Sequence, residues 1–374
     1  MSTETEFAPV PELLAQLRAG RMIVLVDDED RENEGDLVVA AERITVEHVV
    51  QMNRLASGII TVPMPRPWLR RLHIDPMVQE NAESMSTAFT ITVDAASGIS
   101  TGSSAHDRVH TIRRLADEGS TADDFVRPGH INPLLVREGG VLKRPGHTEA
   151  SYDLMRMAGL APVAVLCEIM GDDGTMLRLP ALRELAERMG LALGTIADVI
   201  RYRRRTETLV ERADGETVTT ALGPLEIHRY RSRVDAGRYT ALVRGPIDSE
   251  HPVLVRMHAA TLTDDLLGLL VGGRHGALQL AMARIAAEGG VLLYIERAGA
   301  AAHPMDERDY GIGAQILADL GVRRLRLMTD HPRRRAGLHG FDLEVVEHVP
   351  VRGGHDAKDA LDNVVPLPTA EPGG

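Results

Sequence analysis

The feature that most restricts this chain is a run of charge set between two apolar strands. Asp27-Asp28-Glu29-Asp30-Arg31-Glu32-Asn33-Glu34-Gly35-Asp36 places seven carboxylates in ten positions. Met22–Val26 precedes it and Leu37–Ala41 follows, and both read as strands. So many like charges repel one another unless cations or basic groups neutralise them. A solvated hairpin loop would join the two strands, but Arg31 inside the run adds a guanidinium able to grip a phosphate or a carboxylate. An EF-hand does not fit, because aligning Gly35 with the loop glycine puts Ala41 where the bidentate glutamate belongs. A hard cation such as Mg²⁺, held by one or two carboxylates and water, fits better.

Composition narrows the class of protein. At 374 residues the chain suits two domains, and its 44% hydrophobic and 26% charged content is that of a globular protein. A net charge of −12 argues against nucleic acid or an anionic membrane as partner, and 3% aromatics leaves little to stack on bases. No apolar run reaches the length of a membrane span, and the polar, acidic start predicts no signal peptide, so the cytoplasm is the expected location. The single Cys167 excludes a disulfide framework and a zinc site built from cysteine pairs. Lysine occurs only at 143 and 358, which leaves little scope for Schiff-base chemistry.

Along the chain, helices are predicted over Glu12–Arg18, Val46–Ala56 with Thr45 as N-cap, Ser104–Glu118, Ala150–Ala158, Ala181–Met189 and from Thr195 to Tyr202. Strands are predicted at Phe89–Val93 and Val163–Ile169. Beyond the basic cluster Arg201–Arg205, strands are predicted around Val218–Tyr230, Tyr239–Arg244, Val253–His258, Val291–Ile295, Leu325–Met328 and Leu343–Val346, with helices at Ala277–Ala287 and Ile312–Leu320. Residues 1–9 read as a disordered start, 205–217 as a linker and 352–374 as a disordered tail.

Four further motifs carry chemistry. Gly139 to Ala150 joins a glycine turn, Arg144, Pro145, Gly146, His147 and Thr148 to a helix start, which makes an anion site. His147 suits a metal ligand or a proton-transfer group. Arg127-Pro128-Gly129-His130 by itself is a turn. Glu168 closes an apolar strand, a good position for catalysis. Ser100 to Arg108 is a second phosphate cradle or a capped helix. Together they suit a metal-assisted enzyme that abstracts a proton beside a carbonyl of a phosphorylated sugar.

The run Asp28–Asp36, with Arg127–His130, Gly146–Ala150 and Leu166-Cys167-Glu168, resembles 3,4-dihydroxy-2-butanone 4-phosphate synthase of riboflavin biosynthesis, over residues 10–204. The resemblance implies an α+β domain with a mixed sheet and a homodimer with composite sites. It also implies conversion of D-ribulose 5-phosphate to the butanone phosphate plus formate, with Mg²⁺ or Mn²⁺. It places the metal on Glu32 and His147. It sets Arg31, Asp36 and the stretch Arg144, Pro145, Gly146, His147 and Thr148 against the sugar phosphate, and makes His130 and Glu168 essential. Thr61 stands where that family commonly has a cysteine, keeping a hydrogen-bonding group but no thiolate.

Residues 218–351 resemble GTP cyclohydrolase II, also α+β, most clearly over Asp306–Leu317. Asp306 and Arg308 match that family's proton acceptor and nucleophile. Its three zinc cysteines fall at Thr261, Gly272 and Arg274, so no zinc is expected and GTP hydrolysis is expected to be lost. The expectation is thus a synthase with an inactive second domain. The alternatives are a bifunctional enzyme that also hydrolyses GTP, or a second domain that regulates or binds.

Overall fold

Ile23–Val26 (β1) and Gly35–Ala40 (β2) are buried at every position, so the sheet they enter is covered on both faces. The computed structural model describes residues 7–351, apart from Ser84, Ser86, 221–222, 235–236, 249–250, 262–264, 266–275, 297–304, Asp306, 331–342 and the side chains of Glu307 and Arg308. The chain divides into two units, Met1–Arg203 and Arg204–Gly374, each an α+β assembly around one mixed sheet.

The first unit adds Thr61–Met64 (β3), Val93–Ala95 (β4), Phe125–Leu135 (β5), Ala164–Glu168 (β6) and Ala192–Thr195 (β7). The sheet order is β4-β5-β3-β6-β2-β1-β7. β1 runs antiparallel to β2 and parallel to β7, while β6 runs antiparallel to both β2 and β3. Its helices are Val10–Arg18 (α1), Val46–Leu55 (α2), Arg66–Arg71 (α3), Ala105–Leu115 (α4), His147–Ala158 (α5), Leu179–Met189 (α6) and Ile196–Thr206 (α7). Local chemistry sets their ends. The Thr45 hydroxyl accepts the His48 N–H at 3.3 Å, and the Ser104 hydroxyl accepts that of Asp107 at 3.1 Å. α5 and α6 stop on Gly159 and Gly190, whose positive φ a side chain would resist. Val24, Leu37, Val39, Val62 and Val165 lie in the core beneath them, with Ile112 and Leu185 from the helices.

Several sequence expectations need correcting. Arg127–His130 is not a free-standing turn but lies inside β5. β4 pairs Val93 with Ile131 and Asp94 with Val126, so the four residues between bow out as a bulge. Helix α5 begins at His147, three residues before the expected start. Residues 205–217 are no linker, because α7 runs to Thr206 and a strand begins at Val210. Residues 7–9 are ordered: the Ala8 N–H donates to the Leu193 carbonyl at 2.8 Å, and the Arg183 guanidinium stacks on Phe7. Residues 1–6 and 352–374 lie outside the described residues.

The second unit comprises Val210–Thr220 (β8), Gly223–Ser232 (β9), Arg238–Arg244 (β10), Val253–Ala259 (β11), Ala277–Glu288 (α8), Gly290–Glu296 (β12), Glu307–Asp319 (α9), Arg324–Met328 (β13) and Glu344–Val349 (β14). Its sheet order is β14-β13-β11-β12-β10-β9-β8, with β14, β13, β11 and β12 parallel and the rest antiparallel. No helix among the described residues is long and apolar enough to cross a membrane.

Candidate active site

Three strands and one helix start converge on a cavity of about 300 Å³ in the first unit. Asp36 on β2 and Glu168 at the end of β6 are register partners, and Thr61 at the start of β3 faces Leu166. Helix α5 adds His147 and Thr148, and Arg31, Glu32 and Arg144 complete the polar lining. The sequence reading named all of these. It missed Glu83, Met85, Thr87 and Phe89, which also line the cavity. These four carry no motif; their one clue is Arg144, which donates to the Met85 carbonyl and the Thr87 hydroxyl, both at 3.1 Å.

The acidic run folds around Asp27, which was read only as one carboxylate among seven. Its side chain is 1% exposed. Oδ1 accepts the Glu34 N–H at 2.9 Å, and Oδ2 accepts the Glu32 N–H at 3.1 Å and Arg31 Nη1 at 2.9 Å. Arg178 donates to the carbonyls of Glu32 and Asn33. The repulsion expected of the run is therefore offset from within, by Arg31, and from outside, by Arg178 and His147.

Glu32 Oε2 lies 2.9 Å from Arg31 Nη1 and 3.6 Å from His147 Nδ1. His147 Nε2 donates to the Leu25 carbonyl at 3.1 Å, which leaves Nδ1 as the ring nitrogen that faces Glu32. Ligand atoms of Asp27, Glu32 and His147 all lie within 4.8 Å of one another, the group among the described residues able to hold a metal ion. Asp27 is committed to three N–H groups, so Glu32 and His147 are the pair left for a cation. Asp36 Oδ1 is buried beside them without a hydrogen-bond partner. One carboxylate, one imidazole and an unsatisfied oxygen, with space for water, fit Mg²⁺ or Mn²⁺.

Burial pushes the Asp36 carboxyl up to about 7, and repulsion from Glu168, Glu32 and Glu34 adds to this against the pull of His147. Burial alone would lower His147, but the carboxylates of Asp36, Glu32 and Asp27 outweigh it and push it up to about 9. Burial and the Glu32 charge raise Glu168, which suits a group that takes and returns protons. For Glu32, burial is outweighed by His147 and Arg31, which hold it below the usual range.

Positive groups line the same cavity. Gly146 caps α5, and a Cβ there would lie 2.6 Å from Arg144 Nη1 and 3.0 Å from Arg31 Nη2. Two guanidiniums thus close on a helix start whose N–H groups and dipole favour an anion. Glu149, 1% exposed, holds Arg144 through Nη1 at 2.7 Å. Pro145 is exposed, and neither it nor Gly146 lines the cavity. Cys167 turns into the core, and burial pushes its thiol up to about 11. The Ser100–Arg108 motif is not a phosphate cradle: Asp107 already accepts the Ser100 and Gly102 N–H groups at 3.1 and 3.2 Å. His130 stands on the β5 bulge outside the cavity lining, 46% exposed, with Nδ1 2.6 Å from Asp94.

The family model for 3,4-dihydroxy-2-butanone 4-phosphate synthase matches residues 11–202, and that for GTP cyclohydrolase II matches 211–303 and 297–350. The chain belongs to the 3,4-dihydroxy-2-butanone 4-phosphate synthase family, fused to a GTP cyclohydrolase II domain. It is 47% identical to the bifunctional riboflavin biosynthesis protein RIBA 1 of Arabidopsis thaliana, over 92% of this chain and 69% of that protein. It is 45% identical to the riboflavin biosynthesis protein RibBA of Salinispora arenicola, over 93% and 90%. It is also 45% identical to the monofunctional RIBA 2 of A. thaliana, over 92% and 77%. Among solved structures it is similar to RibBX, a two-domain 3,4-dihydroxy-2-butanone 4-phosphate synthase from A. baumannii, at a TM-score of 0.77 and 40% identity over 91% of this chain and 99% of that one. A synthase solved with two magnesium ions matches at a TM-score of 0.52 and 39% identity, over 54% and 98%.

These relatives correct one expectation. The sequence of this chain suggests a synthase with an inactive second domain, in which GTP cyclohydrolase II activity is unlikely. The bifunctional and RibBA names among the relatives, together with the family match over 211–350, favour the bifunctional alternative. Asp306 and the side chain of Arg308, expected as vestiges of that site, lie outside the described residues, as do Gly272 and Arg274. Thr261 is described: its N–H donates to Asp265 at 3.1 Å, and Asp265 also bonds His258 Nε2 at 2.9 Å.

Proposed function

We propose that the first unit converts D-ribulose 5-phosphate to 3,4-dihydroxy-2-butanone 4-phosphate and formate with Mg²⁺ or Mn²⁺. The observation that carries this reading is one cavity lined both by Glu32, His147, Asp36 and Glu168 and by the guanidiniums of Arg31 and Arg144 beside the start of α5. The sugar phosphate sits against the two guanidiniums, and its carbonyl carbons face the carboxylates. Glu168 takes and returns protons on the carbon skeleton, and Asp36 and Thr61 hold hydroxyl groups. A divalent cation on Glu32 and His147 supplies Lewis-acid polarisation of the substrate oxygens. Release of formate from ribulose 5-phosphate by the full chain tests the whole reading.

Arg144→Ala is expected to raise KM for ribulose 5-phosphate by about tenfold or more and to change kcat less. The phosphate does not react, so its contacts are largely the same in ground and transition states. Steady-state formate assays over a range of substrate concentrations read this split; a loss confined to kcat would contradict the phosphate role.

His130 completes the site from a second copy of the chain, which makes the enzyme a homodimer with shared sites. Its exposure and its distance from the cavity lining support this. Mixing inactive His130→Gln and Glu168→Gln proteins under subunit exchange should restore up to about a quarter of wild-type activity. That is the share of sites with both native residues when exchange is random. No recovery, with exchange verified, would place His130 and Glu168 of one site on one chain.

A second reading concerns residues 211–350. The bifunctional relatives and the family match favour GTP hydrolysis there, by a site without the three-cysteine zinc set. A relative of the same architecture is named monofunctional, so a direct assay decides. Release of formate and pyrophosphate from GTP, with zinc content measured alongside, supports the second activity. The absence of both products at high enzyme concentration rejects it.

A further inference from the structure

His130, on the β5 bulge, is held by a buried carboxylate. The β4–β5 bulge lifts Arg127–His130 out of the ladder and lays the His130 main chain over Asp94. Asp94 Oδ1 accepts the His130 backbone N–H at 3.0 Å, and Oδ2 lies 2.6 Å from His130 Nδ1. The Asp94 side chain is 7% exposed, whereas that of His130 is 46% exposed. One carboxylate thus fixes both the backbone and the ring of an otherwise accessible histidine.

The surroundings close on this pair. A Cβ on Gly102 would collide with Asp94 Oδ2 and lie 2.7 Å from His130 Nδ1, and Gly102 has a φ of +90°. Asp107 holds the Gly102 loop through the Ser100 and Gly102 N–H groups and the Ser100 hydroxyl. A Cβ on Gly129 would strike the backbone of Val93 and Asp94. Both glycines are therefore required by close approach to the pair. This gives the Ser100–Arg108 motif its place: it seals Asp94 rather than cradling a phosphate.

We propose that Asp94 is a positioning residue that keeps the proton of His130 on Nδ1 and presents the Nε2 lone pair outward as a proton acceptor. The inference rests on the reading of His130 as a catalytic group. A buried carboxylate on Nδ1 selects the tautomer and holds the ring plane, as in hydrolase triads. An asparagine at 94 reverses this. Its amide oxygen must accept the His130 backbone N–H, which turns the amide NH₂ towards Nδ1. The ring then carries its proton on Nε2 and cannot accept another.

Asp94→Asn in the full chain is expected to lower kcat for formate release by about 10²–10³-fold, with KM within about threefold of wild type. In ¹⁵N-histidine-labelled wild-type protein, the His130 ring, assigned by its loss in His130→Gln, should show a protonated Nδ1 and an unprotonated Nε2. The pattern should invert in Asp94→Asn. Near-wild-type kcat in Asp94→Asn beside an inactive His130→Gln would overturn the role of Asp94 alone. Near-wild-type kcat in His130→Gln would instead overturn the catalytic reading on which it rests. An Nε2-protonated ring in the wild-type protein would reject the tautomer assignment even where Asp94→Asn fails to fold.

Discussion

Glu168→Gln is expected to lower kcat for formate release by about 10³-fold while leaving KM within about threefold of wild type. The carboxylate sits at the mouth end of β6, opposite Asp36 in register, where partial burial and the Glu32 charge raise its affinity for a proton. A group that shuttles protons acts in the transition state, so its loss falls on kcat. Glutamine keeps the shape and cannot exchange the proton. The side chain lines the cavity and takes no part in the hydrophobic core, so thermal stability should hardly change. A variant with wild-type kcat and raised KM would mean that Glu168 only binds substrate.

Removal of divalent cations should abolish formate release, and added Mg²⁺ or Mn²⁺ should restore it. Glu32 and His147 face each other at 3.6 Å, with His147 Nε2 donating to the Leu25 carbonyl. Beside them Asp36 Oδ1 is buried without a hydrogen bond, its nearest cation being His147 Nε2 at 3.9 Å, which costs stability unless something binds there. A cation accounts for all three. Glu32→Gln, which removes a charged oxygen ligand and keeps the shape, should weaken Mg²⁺ binding by about tenfold or more, at least the loss an outer-shell partner causes. Titration of formate release against Mg²⁺ reads this shift. Full activity after exhaustive chelation would remove the cation from the account.

The parts legible in the sequence are those where one local rule fixes the outcome. The apolar runs at 23–26 and 37–40 form strands because nothing polar interrupts them. α5 ends at Gly159 because the chain needs a left-handed residue there. The cavity residues could be named because a charged run, a glycine-to-helix turn and a strand-end glutamate each have a chemical signature. What stayed hidden depends on distant partners. Asp27 looks like any other carboxylate until three N–H groups from its own loop converge on it. The Arg127–His130 turn is a bulge only because β4 pairs on either side of it. Met85 and Thr87 join the cavity lining through Arg144, more than fifty residues away. The expectation of an inactive second domain rests chiefly on three positions, Thr261, Gly272 and Arg274, whereas the bifunctional relatives favour the opposite reading over the whole segment.

The most direct test of the central claim is to incubate the purified full chain with D-ribulose 5-phosphate, with and without Mg²⁺, and to measure formate together with the four-carbon phosphate. One formate should form per butanone phosphate, in the presence of Mg²⁺ and not after its removal. Substrate left unchanged with Mg²⁺ present, or consumed without formate, would contradict the assignment.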